Sequence, residues 1–403
     1  MNNFWKFVGR KQVIILILLS VVFQLSFAQS NTVNVFAAID KKALQLADSQ
    51  TKSTDNIAEY IKANFKTDKE KSRAIFIWIA SNIKYDIENM FAVNFYENEQ
   101  DKISKPLRTR KGICENYAAL FKDICIKSGI KAYVIEGYTK QNGFTDYIPH
   151  AWCAARIDGT WYLFDPTWGS GYIKSGKFIR RINNAYFMAK PSDLISSHMP
   201  FDYLWQFLNY PVSSQEFVEG KTKLNKSKPF FNFQDSIQAY EGQDPINQLI
   251  SSASRIEKNG IKNSLIFDRL QHIKLEVEDD RQKKTVDLYN YATADYNDGI
   301  NRFNEYINYR NKQFVPKKPD FDIQKMIDSA LDKLTASKSK LVQVISTDLN
   351  TKNLIMQLSK SIDDALNKVK EQQEWLKVYF GKGKLGRKAM FIDKVTWFGI
   401  PLN

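Results

Sequence analysis

The sequence contains few cysteines and few histidines for its length. Its 403 residues include three of each, and no two cysteines form a C-x-x-C pair. Structural zinc sites usually take four ligands from closely spaced cysteines and histidines. We therefore expect no metal site, and we expect no cofactor. No fixed repeat is evident either, which argues against a solenoid of short helical repeats.

Long apolar runs are also scarce, and the clearest one lies near the start of the chain. Residues 13–23 are apolar apart from one serine, follow three basic residues and precede a small-residue pattern that ends at Ala28. This run is shorter than the roughly 20 residues of a membrane-spanning helix, so a cleaved signal peptide at residues 1–28 is favoured over an anchor. Gln29, not cysteine, follows the predicted cut, which gives a lipoprotein anchor no support. We expect a soluble exported protein, either periplasmic or secreted to the cell surface, without a transmembrane anchor.

The charge balance is basic but does not favour nucleic-acid binding. The chain has 58 Lys and Arg against 44 Asp and Glu, a formal charge of +14. Basic residues alternate with acidic ones along amphipathic segments, and the only tight basic run lies within residues 382–388. Such a pattern is typical of a solvated surface, for example one that faces an anionic membrane or glycan. We expect no nucleic-acid partner.

Export makes the cysteine count informative. An odd number of cysteines in an oxidising compartment leaves at least one thiol unpaired. Cys114 and Cys125 lie on one predicted helix, about 16 Å apart at about 1.5 Å per residue. Because a disulfide needs Cα atoms within about 7 Å, these two cannot pair. We interpret Cys125 and Cys153 as core residues, with a redox role for Cys153 left open.

The hydrophobic period predicts an α+β first half and a helical second half. Helical spacing at residues 71–83 and 113–128 flanks a polar, irregular segment at 86–109. Alternating, strand-like segments follow at 131–138, 149–157 and 160–164. A helix followed by an antiparallel sheet predicts an α+β fold. Beyond residue 244 nearly all spacing is helical, in segments 247–256, 264–310, 322–345 and 354–380, which predicts a bundle.

The two last strands predict a histidine–aspartate pair. Asp158-Gly159 between apolar strands is a strong signal for a two-residue type I′ hairpin turn. Counting outward from that turn places Trp152 opposite Asp165 and places His150 on the same face, on the diagonal. Diagonal neighbours lie roughly 7–8 Å apart at the backbone, within reach of an imidazole and a carboxylate. A change of one residue in the loop would reverse this parity.

Cys114 supplies a third group. It begins the helix that follows Arg110-Lys-Gly112, where unpaired N–H groups and the helix dipole favour a thiolate. Its own N–H points where an oxyanion would form. Cys114 is then a nucleophile, with His150 as base and Asp165 as the group that orients the histidine. The alternatives are a small core cysteine, a structurally satisfied histidine, and an aspartate that starts a turn.

Three ordered blocks carry a resemblance to a known family: residues 110–118, 150–157 and 159–168. Together they resemble the transglutaminase-like superfamily, the papain-related thiol enzymes. Residues 76–86 and 198–205 look like the branch that includes the kyphoscoliosis peptidase. The resemblance covers about residues 68–210. It implies a nucleophile helix packed on an antiparallel sheet and a thioester acyl-enzyme made by Cys114, His150 and Asp165.

The resemblance leaves several residues with two interpretations. Asn116 stands where a glycine or another small residue is common. Trp78 and Asn82 lie one helical turn apart and either border the acyl site, assisting its oxyanion, or pack in the core. His198 is interpreted as a residue that caps the core. The predicted boundaries are a signal peptide at 1–28, a helical segment at 29–67, a catalytic core at 68–210, a linker or capping region at 211–243 and a bundle at 244–403.

Three functions remain open at this stage. The first is hydrolysis of peptide or other amide bonds, with a peptide or protein as substrate. The second is cross-linking of glutamine to lysine, in which an amine replaces water. The third is a non-catalytic scaffold of the cell envelope, whose helical domain binds a protein or envelope partner. Nothing in the sequence prefers water to an amine. We favour hydrolysis because the chain lacks the extra β-domains of the large animal cross-linking enzymes.

Overall fold

The structure is a computed structural model with two compact units. It describes residues 35–391 except 95–96, 142–143 and 347, together with 396–397 and 400–401. One unit holds the described chain up to Glu241 and also Ser254–Asp268. The other holds Gly242–Ala253 and the chain from Arg269 onward. The predicted signal peptide lies outside the described residues.

Five helices and two short strands open the first unit. In chain order they are α1 (Ala37–Ala43), α2 (Thr54–Asn64), α3 (Asp68–Asn82), β1 (Lys84–Tyr85), α4 (Glu99–Thr109), β2 (Lys111–Gly112) and α5 (Cys114–Lys127). Thr67 and Glu70 begin α3 with a reciprocal capping box. The pair β1 and β2 is parallel, and it brings Tyr85 opposite Gly112, two residues before Cys114.

Helix α4 corrects one sequence prediction, which took residues 86–109 as irregular. The segment is polar and contains Pro106, which has no N–H for the carbonyl four residues earlier. That carbonyl, on Lys102, instead accepts a hydrogen bond from the Asn116 side chain at 3.0 Å. A tertiary contact thus allows a proline inside the helix, which local sequence rules cannot anticipate.

The sheet of the first unit follows α5. The next elements are β3 (Ala132–Gln141), β4 (Phe144–Ile157), β5 (Thr160–Phe164), β6 (Gly171–Lys174), β7 (Lys177–Arg180), α6 (Pro191–Leu194), β8 (His198–Pro200), α7 (Ser214–Val218) and α8 (Phe233–Glu241), with 3₁₀ turns at Asp48–Thr51, Asn184–Tyr186 and Tyr203–Gln206. Four strands form an antiparallel sheet in the order β5-β4-β3-β8, and β6 pairs with β7 as a separate hairpin that the sequence did not predict. Residues 211–241 contain α7 and α8 and belong to the first unit.

The predicted β4–β5 hairpin is present. Asp158 and Gly159 both have positive φ, at 48° and 82°, as a type I′ turn requires. Ile157 lies opposite Thr160, so the register has the parity that the sequence predicts. Helix α5 packs against β3 and β4. The α+β fold, a nucleophile helix on an antiparallel sheet followed by a mainly helical region, is confirmed.

Helices α3 and α5 form the centre of the first core. Nine consecutive residues of α3, from Ser72 to Ala80, are buried, and so are most residues of the first two turns of α5. Such complete burial explains why these helices lack a polar face. Arg73 lies within this core, where its guanidinium binds Asp40 through two bonds of 2.7 Å.

Long helices dominate the second unit. They are α9 (Pro245–Asn259), α10 (Ser264–Asn311), α11 (Asp320–Leu341), α12 (Leu349–Phe380) and α13 (Lys384–Ala389), followed by the short antiparallel strands β9 (Thr396–Trp397) and β10 (Ile400–Pro401). The unit boundary falls inside α9 and near the start of α10. Buried apolar residues such as Ile327 and Ile362 join α11 and α12 in one core. Within the described residues, no helix combines the length and apolar character needed to cross a membrane.

Candidate active site

Cys114 is the first residue of helix α5, as the sequence predicts. Its side chain is 2% exposed, and Ile113 precedes it in an extended conformation. Asn116 organises this turn, because its Oδ1 accepts a hydrogen bond from the N–H of Ile113 at 2.9 Å. A Cβ on Gly112 would lie 2.8 Å from Asn116 Cβ, so only glycine fits before the nucleophile helix. Asn116 therefore builds the turn rather than disturbing it.

His150 and Asp165 form a buried hydrogen-bonded pair. His150 lies on β4, opposite Gly137 of β3, and Asp165 directly follows β5. Nε2 of the histidine is 2.8 Å from Oδ2 of the aspartate, whose side chain is fully buried. The Cys114 thiol lies beside the same imidazole and interacts with it.

Asp165 receives four hydrogen bonds. Oδ1 accepts from the backbone N–H groups of Thr167 at 2.8 Å and Trp168 at 3.1 Å. Oδ2 accepts from His150 and also from Nε2 of His198 at 3.1 Å. A buried carboxylate with this many donors is held as the anion in one orientation.

The ionisation of the pair follows from this geometry. Burial alone would disfavour a charged imidazole, but the charge and hydrogen bond of Asp165, with a further contribution from the Cys114 thiol, outweigh it and raise the pKa of His150 from 6.5 to about 10. Burial would also raise the pKa of Asp165, yet the two imidazoles keep that pKa well below its ordinary value. At neutral pH His150 is thus an imidazolium next to the thiol.

A large cleft opens beside Cys114 and His150. Its volume is about 820 Å³. One side carries Tyr85, the hairpin β6–β7 supplies Tyr172 and Phe178, and the chain after that hairpin supplies Arg181. The cleft reaches the nucleophile from solvent, so a chain such as a peptide can lie across the thiol.

Trp78 and Asn82 are absent from the described lining of this cleft, which agrees with the second of their two interpretations, packing in the core. Trp78 is 1% exposed and packs in the α3 core, under the guanidinium of Arg110 at 5.5 Å. The side-chain amide of Asn82 donates to the Trp78 carbonyl at 2.9 Å. Helical spacing placed the two residues on one face correctly, but that face packs on protein rather than on the cleft.

The other two cysteines lie in the core. Cys125 and Cys153 are both fully buried and unpaired, and burial raises the pKa of each well above the ordinary 9.0. The Cys153 thiol donates to the carbonyl of Ala118 at 3.3 Å. Their thiols are therefore shielded and protonated, unlike a nucleophile.

His198 is the site residue whose contact with Asp165 the sequence did not reveal. It was interpreted as a cap on the core, but its ring binds the same carboxylate oxygen as His150. It reaches the site because β8 pairs with β3, on the side of the sheet away from β5. The available signal was composition, since His198 is one of only three histidines in the chain.

His150, Asp165 and His198 could also be considered as metal ligands. Among the residues that the structure describes, they are the one group of three such side chains whose ligand atoms lie within 4.8 Å of one another. Both Nε2 atoms already donate to the carboxylate, so an ion would have to displace two protons. The hydrogen bonds account for these buried groups without an ion.

Comparison with known proteins adds to this geometry. Residues 55–166 match the transglutaminase-like superfamily. The chain is 34% identical over 174 residues to mouse kyphoscoliosis peptidase, covering 41% of this chain and 25% of that protein. It is 25% identical over 204 residues to Drosophila melanogaster hillarin, covering 45% and 24%. The chain thus spans about a quarter of the length of these relatives.

Among solved structures, a crystal structure of a TGase is 20% identical, covers 42% of each chain and has a TM-score of 0.24. The sequence match covers α2, α3, α5 and the strands β3 to β5, together with all three residues Cys114, His150 and Asp165. Residues 55–166 thus form a transglutaminase-like region, and the resemblance to this superfamily is confirmed.

Proposed function

We propose that this protein is an exported enzyme that hydrolyses peptide or other amide bonds with Cys114 as nucleophile. The observation that carries the proposal is the position of His150, whose Nε2 binds Asp165 at 2.8 Å while its ring interacts with the Cys114 thiol. This is the arrangement that activates a nucleophile in triad enzymes. The similarity to proteins named kyphoscoliosis peptidase supports the same class of reaction.

The reaction has two steps. Sγ of Cys114, as the thiolate, attacks the amide carbonyl carbon, and N–H groups at the start of α5 face the developing oxyanion. The tetrahedral intermediate collapses when His150 gives its proton to the leaving nitrogen, which leaves a thioester on Cys114. His150, now neutral, accepts a proton from water as the oxygen attacks the thioester. The acid product then leaves, and the thiolate–imidazolium pair is restored.

The cleft supports a chain-like substrate. Aromatic side chains such as Trp168 and Tyr186 line it beside the thiol, and they offer apolar surface to an extended peptide. Cross-linking differs only in the second step, in which an amine takes the place of water. The cleft is open to solvent, so water reaches the thioester and we favour hydrolysis when no amine is bound.

Trapping the acyl-enzyme tests the proposal. The full chain and its Cys114→Ala variant are incubated with a library of fluorogenic peptides, acid-quenched and analysed by intact mass. We expect peptide release and an acyl adduct on the wild-type protein, and neither on the variant. Addition of dansylcadaverine separates the two reactions, because a cross-linking enzyme would attach the amine to the acyl group in preference to water. A folded protein that shows neither adduct nor product would leave only a non-catalytic role.

Export is a separate part of the proposal and rests on the sequence of residues 1–28. Expression of the full chain in a Gram-negative host, followed by N-terminal sequencing of the periplasmic fraction, is expected to give a chain that begins at Gln29. Recovery of uncleaved protein in the cytosol would contradict export while leaving the chemistry unaffected.

A further inference from the structure

The second histidine of the site lies where it can act on the first. Nε2 of His198 and Nε2 of His150 bind the same oxygen, Oδ2 of Asp165, at 3.1 and 2.8 Å. His198 reaches that oxygen from β8, whereas His150 reaches it from β4. Two separate parts of the fold thus meet on one carboxylate oxygen.

The protons of this cluster can be assigned from its donors and acceptors. A carboxylate oxygen only accepts, so both Nε2 atoms must carry a proton. Nδ1 of His198 lies 2.8 Å from Oγ of Ser197, which is also 3.3 Å from the carbonyl oxygen of Leu194. The serine hydroxyl can donate to Nδ1, or it can accept from Nδ1 and donate to the carbonyl. Ser197 can therefore hydrogen-bond to His198 whether the imidazole is neutral or protonated.

The surroundings of His198 separate it from substrate. Its side chain is 1% exposed and does not line the cleft. The rings of Trp152, Trp168 and Tyr186 surround it, with centroids 5.1, 4.6 and 6.1 Å away. The ring of His150 also lies 5.5 Å away, centroid to centroid, so His198 can influence the reaction only indirectly, through Asp165 and through its packing against His150.

We propose that His198 is a positioning residue, which fixes Oδ2 of Asp165 toward His150 and shares its negative charge. This inference rests on the proposed function. Without His198, the carboxylate loses the donor that opposes its rotation away from His150. The imidazolium is then less well oriented toward Cys114, and the thiolate is less well stabilised.

The test compares substitutions of His198 by the rate at which iodoacetamide alkylates Cys114 at pH 6. His198→Phe removes the donor and keeps a ring of similar size, whereas His198→Gln retains an amide N–H near the position of Nε2. We expect alkylation to slow about 10- to 100-fold in the first variant, which is the effect of losing one hydrogen bond to a charged group. In His198→Gln, Cys114 should be alkylated at close to the wild-type rate. In peptide hydrolysis, kcat should fall and KM should change less than about twofold.

Two controls keep the result specific. His272→Gln changes a histidine of α10 that pairs with Glu276, outside the first unit, and should alkylate like wild type. Ile57→Val removes one methyl group from the same core without touching the site, and it should also keep its alkylation rate. Equal rates for wild type and His198→Phe, or no recovery with His198→Gln, would overturn the proposal. If wild-type Cys114 is itself no more reactive than a free thiol, the proposed function fails instead.

The cleft provides a second and independent observation. Apart from His150, Arg181 is the one basic residue on its described lining, and no aspartate or glutamate lines it there. Arg181 is exposed and forms no ion pair with any residue that the structure describes. Its backbone N–H donates to the carbonyl of Ser170 at 3.0 Å, which fixes where its side chain begins.

We infer that Arg181 binds a carboxylate of the substrate. A guanidinium matches a carboxylate through two parallel hydrogen bonds. Arg181 lines the same cleft as Cys114 and His150, so a substrate carboxylate in that cleft has this guanidinium as its partner. The inference deepens the proposed function by naming the substrate class, peptides with a carboxylate close to the bond that is cleaved. Either an acidic side chain or a free C-terminus supplies this group.

Matched peptides distinguish the two sources. Binding to the Cys114→Ala variant is measured by fluorescence anisotropy for peptides that differ by Glu against Gln, or by a free against an amidated C-terminus. One of the two changes should weaken binding about 5- to 10-fold, and adding Arg181→Gln should abolish that difference. Lys174 is an exposed cation on the β6–β7 hairpin outside the cleft lining, so Lys174→Ala should leave the difference in binding between the peptides intact.

Two results would refute the inference. All the peptides bind equally well, or Arg181→Gln weakens the binding of charged and neutral peptides by the same factor. Binding does not require hydrolysis, so this outcome is independent of the proposed function.

Discussion

Replacement of Asp165 by asparagine changes one atom and should disable the site. The carboxylate accepts four hydrogen bonds, two from imidazoles and two from backbone N–H groups. An asparagine amide offers one acceptor oxygen and one NH₂ group. Whichever way it is turned, two buried donors face another donor. If the NH₂ group faces His150, the histidine must carry its proton on Nδ1, and that nitrogen can no longer accept a proton from the thiol.

The expected loss of stability follows from the buried pair. Removing one partner of a buried, hydrogen-bonded charge pair typically costs about 3–5 kcal/mol. A domain with a stability of about 5–15 kcal/mol can still fold under such a loss.

The same change should also lower the catalytic rate. In Ser-His-Asp triads, it costs about 10⁴ in kcat because the histidine takes the wrong tautomer. We expect a similar loss of kcat in Asp165→Asn.

The pH dependence has a defined sign. Folding raises the pKa of His150 from 6.5 to about 10, so this contribution to stability is complete below about pH 6.5 and is lost as the pH rises toward 10. The pKa of Asp165 is lowered, so its contribution is present above the ordinary value of 3.8 and is lost as the pH falls. The difference in stability between wild type and Asp165→Asn should therefore be largest near about pH 5–6.

The assay is NMR titration of histidine labelled with ¹³C at Cε1, combined with urea unfolding at two pH values. Only three histidines occur in the chain, so the His198→Gln and His272→Gln variants identify the His150 resonance by subtraction. In wild type this resonance should stay in its protonated position between about pH 5 and 9. In Asp165→Asn, the carboxylate charge no longer compensates for the burial of the imidazole, so the pKa of His150 should fall below about 6.5.

One result would refute this reasoning. If His150 in the folded Asp165→Asn protein keeps the titration of wild type, the carboxylate does not control its charge. Equal unfolding free energies of the two proteins at pH 5 would contradict the buried pair itself.

Three further substitutions test the packing around the site and in the bundle, each by urea unfolding. In Gly137→Ala, the new methyl would lie 2.1 Å from a carbonyl oxygen of β8, so we expect a loss of stability of about 1–3 kcal/mol. Alkylation of Cys114 should also slow, because β8 carries the second histidine. Unchanged stability and an unchanged alkylation rate would contradict this close approach. Arg73→Met should cost about 3–5 kcal/mol because it removes the guanidinium that binds the buried Asp40 carboxylate through two hydrogen bonds. A loss below about 1 kcal/mol would show that the pair is solvated. In Gly299→Ala, a Cβ would lie 2.8 Å from the Leu334 side chain. The free-energy cost of this overpacking should exceed the stability gained from the better helix propensity of alanine, about 1 kcal/mol. A net gain in stability would disprove the close contact of α10 and α11.

Local patterns predicted the β4–β5 hairpin because its geometry depends on neighbouring residues. Asp158 and Gly159 adopt the positive φ of a type I′ turn, and this turn sets the parity of both strands. His150 and Asp165 consequently share a face and meet at 2.8 Å. The start of the nucleophile helix at Cys114 was likewise fixed by a local signal, the glycine before it.

The features that the sequence did not reveal depend on tertiary contacts. His198 enters the site only because β8 pairs with β3, and no local pattern specifies which strand lies beside β3. Helix α4 contains Pro106 and is completed by Asn116 from α5, so its own sequence looked irregular. Trp78 was placed on the right helix, but the direction of its face is set by the packing of the whole core.

The most direct test of the central claim is the reactivity of the three cysteines in the folded protein. The chain is treated with iodoacetamide at pH 6, and the modified peptides are quantified by mass spectrometry over time. Cys114 should react much faster than N-acetylcysteine under the same conditions, because His150 is an imidazolium at this pH. Cys125 and Cys153, which are fully buried, should remain unmodified. A Cys114 that reacts no faster than N-acetylcysteine at this pH would contradict an activated nucleophile.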